Sequence, residues 1–176
     1  MNRPGGFTIT DRGLELCAFP QGARLLDVGC GRGETVRHLR AAGFEGLGVD
    51  RDVDVIRGAA HLSCARAEAL PFADGSMEGV LMECSLSVTE DPGLALAECR
   101  RVLRLGGRLL LTDVYARGHS AELKGCLGRV ETRTELERRF AAAGFRLAHV
   151  EDFSGHLRAF WGQRLLEHGP EALCAD

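Results

Sequence analysis

The feature that most constrains the fold is an apolar strand that runs directly into closely spaced glycines and then into a helix. Residues 25–33 read LLDVGCGRG, and ETVRHLRAAG follows at 34–43. Glycines at the end of a strand let backbone N–H groups and a helix N-terminus approach a ligand without an intervening Cβ atom. The spacing is G-x-G-x-G, whereas a dinucleotide-binding loop has G-x-G-x-x-G. The stretch predicts a ligand site at the start of a βα unit, with a loop unlike that of dinucleotide-binding proteins.

Short apolar runs alternate with helical patterns along the rest of the chain. This alternation predicts an α/β fold in which one doubly wound, mostly parallel sheet carries helices on both faces. Asp91 and Pro92 predict the start of a helix that ends before Gly106, and Thr132 with Glu135 predicts a capping box. The predicted strands are 23–29, 46–50, 62–66, 77–84, 108–114 and 145–152, and the other predicted helices are 11–18, 34–43, 52–60, 132–144 and 156–168.

The length of 176 residues is that of one domain. We expect a single domain over 1–176, with an N-terminal segment at 1–20 and a C-terminal helix at 153–176. Residues 115–131 form the longest stretch without clear periodicity, and such stretches in compact domains are commonly lids or binding loops. This stretch is therefore the candidate lid.

The composition excludes several classes of protein. The 22 basic and 25 acidic residues give a net charge of −3 without any basic run, which argues against nucleic acid as a partner. No stretch approaches eighteen consecutive apolar residues, and no secretion signal is present, so we expect no membrane partner. Seven cysteines without a CxxC pair indicate neither a disulfide framework nor a metal site. We therefore expect reduced thiols and a cytoplasmic location.

Two carboxylates flank the glycine loop and indicate what it binds. Asp27 precedes Gly29 by two residues, where a carboxylate repels phosphate and suits a cation. Asp50 ends the second predicted strand, where a carboxylate can accept two O–H hydrogen bonds from a ribose diol. The implied ligand is a nucleoside with a cationic tail. The alternative is structural, with Asp27 capping the glycine turn and Asp50 capping the next helix.

The sequence resembles the class I S-adenosylmethionine-dependent methyltransferases, and within them the small enzymes called type 11. The resemblance covers roughly residues 20–150 and rests on five motifs in the usual order. These motifs are LLDVGCGRG, GVD ending at Asp50, AEALPFADGSMEGV (67–80), AECRRVLRLGGRLLLTD (97–113) and AAAGF (141–145).

The resemblance implies a Rossmann-like methyltransferase sheet with S-adenosylmethionine as cofactor and S-adenosylhomocysteine as product. The glycines would approach the methionine part, the two aspartates its ammonium end and its ribose, and two residues after the third strand its adenine. Glu83, after the fourth strand, would face the methyl-transfer region, and no metal ligand is implied. The implied cofactor-binding residues are Asp27, Gly29, Cys30, Gly31, Asp50, Arg51, Ala67, Glu68 and Glu83.

Three departures from the family pattern stand out. Arg66 replaces an acid that often faces adenine, and Met77-Glu78 replaces the usual Phe-Asp. The family usually finishes its sheet with a two-stranded hairpin, whereas here 145–152 is followed by an amphipathic helix. We expect the last strand to be absent, and a helix carrying Trp161 to cover the sheet edge or to meet a partner, which makes a homodimer a candidate assembly.

Methyl transfer from a sulfonium is an in-line displacement that needs alignment of donor and acceptor more than acid–base chemistry. The leading prediction is therefore methyl transfer to a small-molecule acceptor. If the acceptor atom carries a proton, a base is useful, and His119, Asp113, Glu83 and Tyr115 lie near the appropriate strand ends. The alternative for a protein that keeps the cofactor site is a binding module without catalysis.

A narrower resemblance concerns two cysteines. Cys84 in ECSLSVTEDP and Cys126 in GCLGRVETRTELERRFAAAGF are similar to segments of arsenite methyltransferases. Soft thiolates suit a thiophilic acceptor such as trivalent arsenic, which makes thiol-assisted methylation of a metalloid or chalcogen an alternative function. The predicted catalytic residues are Glu83, Cys84, Cys126 and His119.

Overall fold

A computed structural model describes residues 3–123 and 127–169 of the chain. Its elements alternate between helix and strand through the first two thirds of the sequence. The helices are α1 (Phe7–Cys17), α2 (Glu34–Ala41), α3 (Val53–Ile56), α4 (Pro92–Val102), α5 (Arg133–Ala142) and α6 (Ser154–His168), with a 3₁₀ turn at Leu86–Val88. The strands are β1 (Arg24–Val28), β2 (Glu45–Asp50), β3 (Leu62–Cys64), β4 (Met77–Glu83), β5 (Leu103–Thr112), β6 (Ala121–Glu122) and β7 (Arg129–Val130).

The central sheet has five strands in the described residues, in the order β3-β2-β1-β4-β5, and every pairing is parallel. From β1 the chain adds β2 and β3 on one side and β4 and β5 on the other. The point at which the strand order changes direction therefore lies between β1 and β4. In such sheets ligands bind outside the carboxyl ends of the strands, next to this switch point. The predicted α/β class with a doubly wound parallel sheet is confirmed.

Each face of the sheet has its own buried layer. On one face Leu25, Leu81 and Leu110 pack with Leu39 of α2 and Leu14 of α1. On the opposite face β1 and β4 pack against α4, with part of α5 added at the margin. That second layer includes Leu26, Val28, Val80, Met82, Ala95, Leu96, Cys99 and Val102. Alternate residues of β1 and β4 point to opposite faces, and helices cover both faces. Because both faces are buried, these strands have continuous apolar sequences.

The predicted helix signals are correct at two positions. The Asp91 side chain accepts hydrogen bonds from the backbone N–H groups of Gly93 and Leu94, and Pro92 occupies the first turn of α4. Thr132 and Glu135 form both halves of a capping box at the start of α5. These side chains supply acceptors for N–H groups that have no partner inside the helix.

Two predicted boundaries are wrong. The helix predicted over 52–60 is a single turn, α3, that ends at Ile56. α4 ends at Val102 instead of continuing towards Gly106, because Leu103 already pairs with Met77 of β4. The Gly106-Gly107 pair lies inside β5, where the register between β4 and β5 shifts. The glycines therefore mark a bulge in a strand and not the end of a helix.

The strand predicted over residues 145–152 is also wrong. This stretch has no assigned secondary structure, and residues 146–152 are exposed. Its alternation of apolar and polar residues requires a neighbouring strand, and none of the described strands pairs with it. β5 consequently forms one edge of the described sheet, with Leu105 at its exposed end.

The candidate lid at 115–131 contains a short antiparallel hairpin in which Ala121 pairs with Val130 and Glu122 with Arg129. An isolated bridge between Ala116 and Thr132 closes its base. Cys126 lies outside the described residues. The hairpin gives this stretch local structure, and its role as a lid stays a prediction. Within the described ranges, no helix has the length and apolar character needed to cross a membrane.

Candidate active site

Three chain segments converge at the carboxyl edge of the sheet. They are the glycine loop after β1, the end of β2 at Asp50, and the turn after β4 that begins at Glu83. Because β1 lies between β2 and β4, its loop has one neighbour on each side. The residues that the sequence singled out for cofactor binding on β1, β2 and β4 are therefore brought to one place.

The glycine loop is fixed by backbone hydrogen bonds and by a close contact with the turn after β4. The N–H groups of Gly29 and Cys30 donate to the carbonyl of Val49 at 2.8 and 3.0 Å. Gly29 has a φ of +80°, and a Cβ placed on it would lie 2.6 Å from Cβ of Ser85. Ser85 in turn donates to the carbonyl of Val28 at 2.7 Å. Only glycine satisfies both the conformation and the space at position 29.

Gly31 differs from Gly29 in what surrounds it. Its φ is +51°, and a Cβ built on it would meet no atom within 4 Å. Its N–H donates to Oδ2 of Asp50 at 2.8 Å, while Oδ1 of Asp50 accepts from the N–H of Asp52 at 3.0 Å. Asp50 thus ties β2 to the loop, and Arg51 beside it is exposed. The space beside Gly31 is open and can accommodate part of a ligand. A side chain at this position would partly fill that space, so we call it the cradle at Gly31.

Asp27 is buried beneath the loop, with only 3% of its surface exposed. Burial is the largest of the causes that together raise the pKa of its carboxyl from 3.8 to about 8; the nearby charges of Glu83 and Asp50 also raise it, and Arg3 lowers it. The group is therefore mostly protonated at neutral pH, even with Arg3 nearby. A cationic ligand would favour the ionised form, so this carboxyl is suited to the ammonium or sulfonium of S-adenosylmethionine.

The side chain of Glu83 is also buried, and its carboxylate is surrounded by donors. Oε1 accepts from the Thr10 hydroxyl at 2.7 Å, and Oε2 accepts from the Thr35 hydroxyl at 2.9 Å and forms an ion pair with Arg3. The Arg3 guanidinium also donates to the Thr10 hydroxyl at 2.6 Å. These contacts join β4 to α1, to the first turn of α2 and to the segment before α1.

Four residues near the site were not predicted from the sequence: Arg3, Thr10, Thr35 and Ser85. Thr35 follows the glycine loop by two residues, so its place in the first turn of a loop-adjacent helix was a usable signal. Arg3 and Thr10 precede Glu83 by 80 and 73 residues, and no local pattern links them. Their contacts with Glu83 depend on the packing of α1 against β4 and β5.

The adenine-side residues have partners within the protein. Glu68 accepts hydrogen bonds from the N–H groups of Glu90 and Asp91 at 2.9 and 3.1 Å, just before α4. Arg66 forms ion pairs with Glu68 and Glu90, and its side chain is half exposed. These contacts give Glu68 and Arg66 a structural role, and an adenine contact by Ala67 or Glu68 stays a prediction.

The cysteines near the site differ in their surroundings. Burial raises the pKa of the Cys30 thiol to about 12, so this group remains a thiol at neutral pH. Cys84 is half-buried with a φ of +54°, and its N–H donates to the carbonyl of Thr112 at 2.7 Å. Cys84 therefore joins the ends of β4 and β5. Because Cys126 lies outside the described residues, the structure does not pair the two cysteines.

The four candidate bases are not equivalent. Glu83 is surrounded by three donors, and the Tyr115 hydroxyl donates to Asp152 at 3.0 Å. His119 is exposed in the candidate lid. Asp113 follows β5 and accepts from the N–H groups of Ser87 and Val114 at 2.9 and 2.8 Å, while burial raises the pKa of its carboxyl. A carboxylate with a raised pKa is a better proton acceptor, which favours Asp113.

The parallel sheet, the strand–glycine loop–helix unit and the acid that ends the second strand are the arrangement found in class I S-adenosylmethionine-dependent methyltransferases. More narrowly, residues 26–111 match the type 11 family model, whose description is "Methyltransferase domain". This match supports a class I methyltransferase domain with S-adenosylmethionine as its cofactor. The buried carboxyls and the open side of Gly31 fit that cofactor.

Curated relatives include two named O-methyltransferases. The O-methyltransferase cnsE of Penicillium expansum is 30% identical over 159 residues, which cover 78% of this chain and 57% of the relative. The malonyl-[acyl-carrier protein] O-methyltransferase of Pseudescherichia vulneris is 33% identical over 122 residues, which cover 66% of this chain and 48% of the relative. The chain thus spans about half the length of these relatives.

Among solved structures, the [4+2]-cyclase SpnF superimposes with a TM-score of 0.80 at 26% sequence identity, covering 95% of this chain and 74% of SpnF. The fold is therefore shared along nearly the whole chain. The local resemblance to arsenite methyltransferases around Cys84 and Cys126 is not supported by these comparisons. The alternative of a non-catalytic binding module is not supported either.

Proposed function

We propose that this protein transfers the methyl group of S-adenosylmethionine to an oxygen atom of a small-molecule acceptor. The observation that carries the proposal is the open side of Gly31, whose N–H donates to the carboxylate of Asp50, in the same loop that follows the buried carboxyl of Asp27. This arrangement offers backbone N–H groups, a ribose acceptor and a cation site in one place. The two relatives that are O-methyltransferases support oxygen as the acceptor atom.

In this proposal Gly29, Cys30 and Gly31 approach the methionine part of the cofactor through their backbone. Asp27 and Glu83 provide the negative charge for its ammonium and sulfonium end. Asp50 binds the ribose diol, with Arg51 at the rim. Ala67 and Glu68 lie along adenine.

The acceptor side lies beyond the ends of β4 and β5. Cys84 contributes to its wall, and Cys126 and His119 belong to the loop that would cover it. Asp113 removes the proton of the acceptor hydroxyl, since it combines a place at the end of β5 with a raised carboxyl pKa. The protein's main contribution is alignment of the two reactants, which can supply about 7–11 kcal/mol.

Turnover tests this proposal directly. The protein is incubated with methyl-labelled S-adenosylmethionine and a panel of phenols, alcohols, carboxylic acids, amines and thiols. We expect label in products of hydroxyl or carboxyl acceptors. Labelling of amines or thiols alone would contradict the oxygen assignment, and no labelling of any acceptor would contradict small-molecule methyl transfer.

For the assembly we propose a homodimer, which the edge of the sheet supports. The outer edge of β5 has no strand partner among the described residues, and antiparallel pairing with a second copy about Leu110 would place Arg108 opposite Thr112, without facing like charges. A homodimer would have a mass of about 38 kDa, twice the 19.0 kDa of one chain. Light scattering after gel filtration tests this assembly, and a mass of one chain at micromolar concentration contradicts it.

The cytoplasmic location is supported by the thiols. The cysteines at 17, 30, 64, 84 and 99 are not disulfide-bonded. Reduced thiols are usual in that compartment. The division into one domain with a lid at 115–131 is part of the same proposal.

A further inference from the structure

The carboxylate of Glu83 is closed off by the segment that precedes β1. Thr10 of α1 is fully buried, and Glu83 retains 3% of its side-chain surface. Thr10 and Arg3 contact Glu83 from one side, and Thr35 contacts it from α2. A carboxylate that accepts from three donors within the protein offers little to a ligand until one of them leaves.

Among these donors only Arg3 carries a charge. Its side chain is 17% exposed, and it lowers the pKa of Asp27 while Glu83 and Asp50 raise it. Arg3 therefore compensates the negative charge of Glu83. The ammonium and sulfonium of the cofactor would provide the same compensation. Two cations beside the same carboxyls would repel each other.

The backbone after Arg3 contains two adjacent glycines. Pro4, Gly5 and Gly6 separate Arg3 from Phe7, the first residue of α1, and both glycines have positive φ values, +71° and +51°. Gly6 occupies the N-cap position, and no side chain caps the helix there. Glycine changes φ and ψ at low cost, so Arg3 can turn away while Thr10 remains in α1.

We propose that Arg3 is a latch on the cofactor site, an inference that rests on the proposed function. In this structure it forms an ion pair with Glu83 and lies close enough to Asp27 to lower the pKa of that carboxyl. Entry of the cofactor displaces it by rotation at Gly5 and Gly6, and the cofactor's own cation replaces it. The closed latch lowers the apparent affinity in proportion to the fraction of molecules that are open.

Calorimetric titration with S-adenosylhomocysteine tests the latch in the full chain. Arg3→Gln removes the competing charge, and we expect its dissociation constant to fall about tenfold, as it would if about one molecule in ten is open in the wild type. Arg3→Lys keeps the charge and should stay within about threefold of wild type. Arg12→Gln is the matched control, because Arg12 lies on α1 and pairs with exposed Glu151.

Hydrogen exchange supplies a second readout that does not depend on the folding of a variant. In the wild type we expect S-adenosylhomocysteine to speed amide exchange at residues 5–8 and to slow it at residues 29–36. Slower exchange in both segments, or weaker binding by Arg3→Gln, would overturn the latch and make Arg3 a ligand of the cofactor carboxylate. An unchanged Arg3→Gln affinity would also overturn it. If the wild type and all variants fail to bind, the proposed function itself is wrong and the latch falls with it.

Discussion

Gly29 and Ser85 approach each other so closely that a Cβ on Gly29 would lie 2.6 Å from Cβ of Ser85. This contact joins the loop after β1 to the turn after β4. Both segments belong to the proposed cofactor site, so the packing that holds the loop also sets the position of Glu83 and Cys84. The neighbouring Gly31 makes no such contact.

We therefore expect the same substitution to affect stability and binding differently at the two glycines. Gly29→Ala and Gly31→Ala both place a side chain at positive φ, which costs about 1–2 kcal/mol. Gly29→Ala adds a steric overlap that typically costs a further 1–3 kcal/mol, roughly. Urea unfolding should show the larger loss of stability for Gly29→Ala. Gly31→Ala should remain folded but bind S-adenosylhomocysteine more weakly, and wild-type affinity in that variant would contradict the cradle at Gly31.

Substitution of Asp50 distinguishes two possible roles of its carboxylate, binding of the ribose and a purely structural role in the protein. Asp50→Asn removes the charge that strengthens hydrogen bonds to the ribose, bonds worth roughly 1.5–3 kcal/mol each. We expect the dissociation constant for S-adenosylhomocysteine to rise about 10- to 100-fold. The control is Asp52→Ala, which removes the N-cap of α3 and costs about 1 kcal/mol of stability without a change in affinity. Equal affinities in both variants would favour a purely structural Asp50.

The raised pKa of Asp27 predicts a pH dependence of binding. The empty site holds a proton on Asp27 up to about pH 8, and the cationic cofactor favours the ionised form. The dissociation constant should therefore fall as the pH rises from 6 to 8, by up to about tenfold per unit. Asp27→Asn should abolish this slope. Asp113→Asn should retain it, since Asp113 lies at the end of β5.

The same pKa shift affects the stability of the empty protein. A carboxyl pKa raised from 3.8 to about 8 means that the folded state binds this proton more tightly than the unfolded chain. The contribution of Asp27 to the free energy of unfolding is thus largest at low pH and is lost as the pH rises towards 8. Comparison of wild type and Asp27→Asn by urea unfolding at pH 5 and pH 8 measures this contribution. A difference that is independent of pH would contradict it.

Asp113 is the expected base for a hydroxyl acceptor. Asp113→Asn should lower kcat by about 10²- to 10⁴-fold with little change in cofactor affinity. His119→Ala should have a small effect because His119 is exposed in this structure. Steady-state kinetics with an identified acceptor distinguishes the two. A large loss in His119→Ala and none in Asp113→Asn would assign the base to the lid.

Local sequence patterns predicted the elements whose signals lie within a few residues. The Asp91 cap and the Thr132–Glu135 capping box are examples, because each pattern contains its own hydrogen-bond partners. The alternation at 145–152 failed as a predictor because a strand needs a second strand, and the sequence does not state whether one is available. Gly106-Gly107 failed because a bulge in β5 and the end of a helix both use glycine.

The candidate site shows the same limit. Asp27, Gly29, Gly31 and Asp50 could be identified because they follow or end strands that meet at one edge. The ion pair between Arg3 and Glu83 joins residues 80 positions apart and depends on how α1 packs against the sheet. Such a contact has no signature in either segment. It appears only when the three-dimensional packing is known.

The most direct measurement is calorimetric titration of the wild-type protein with S-adenosylhomocysteine and, in parallel, with NADH. We expect one molecule of S-adenosylhomocysteine per chain and no binding of NADH. At one hundred times its dissociation constant the product cofactor should add about 2.7 kcal/mol of stability and raise Tm by roughly 5–11 °C. Binding of NADH together with no binding of S-adenosylhomocysteine would contradict the methyltransferase assignment.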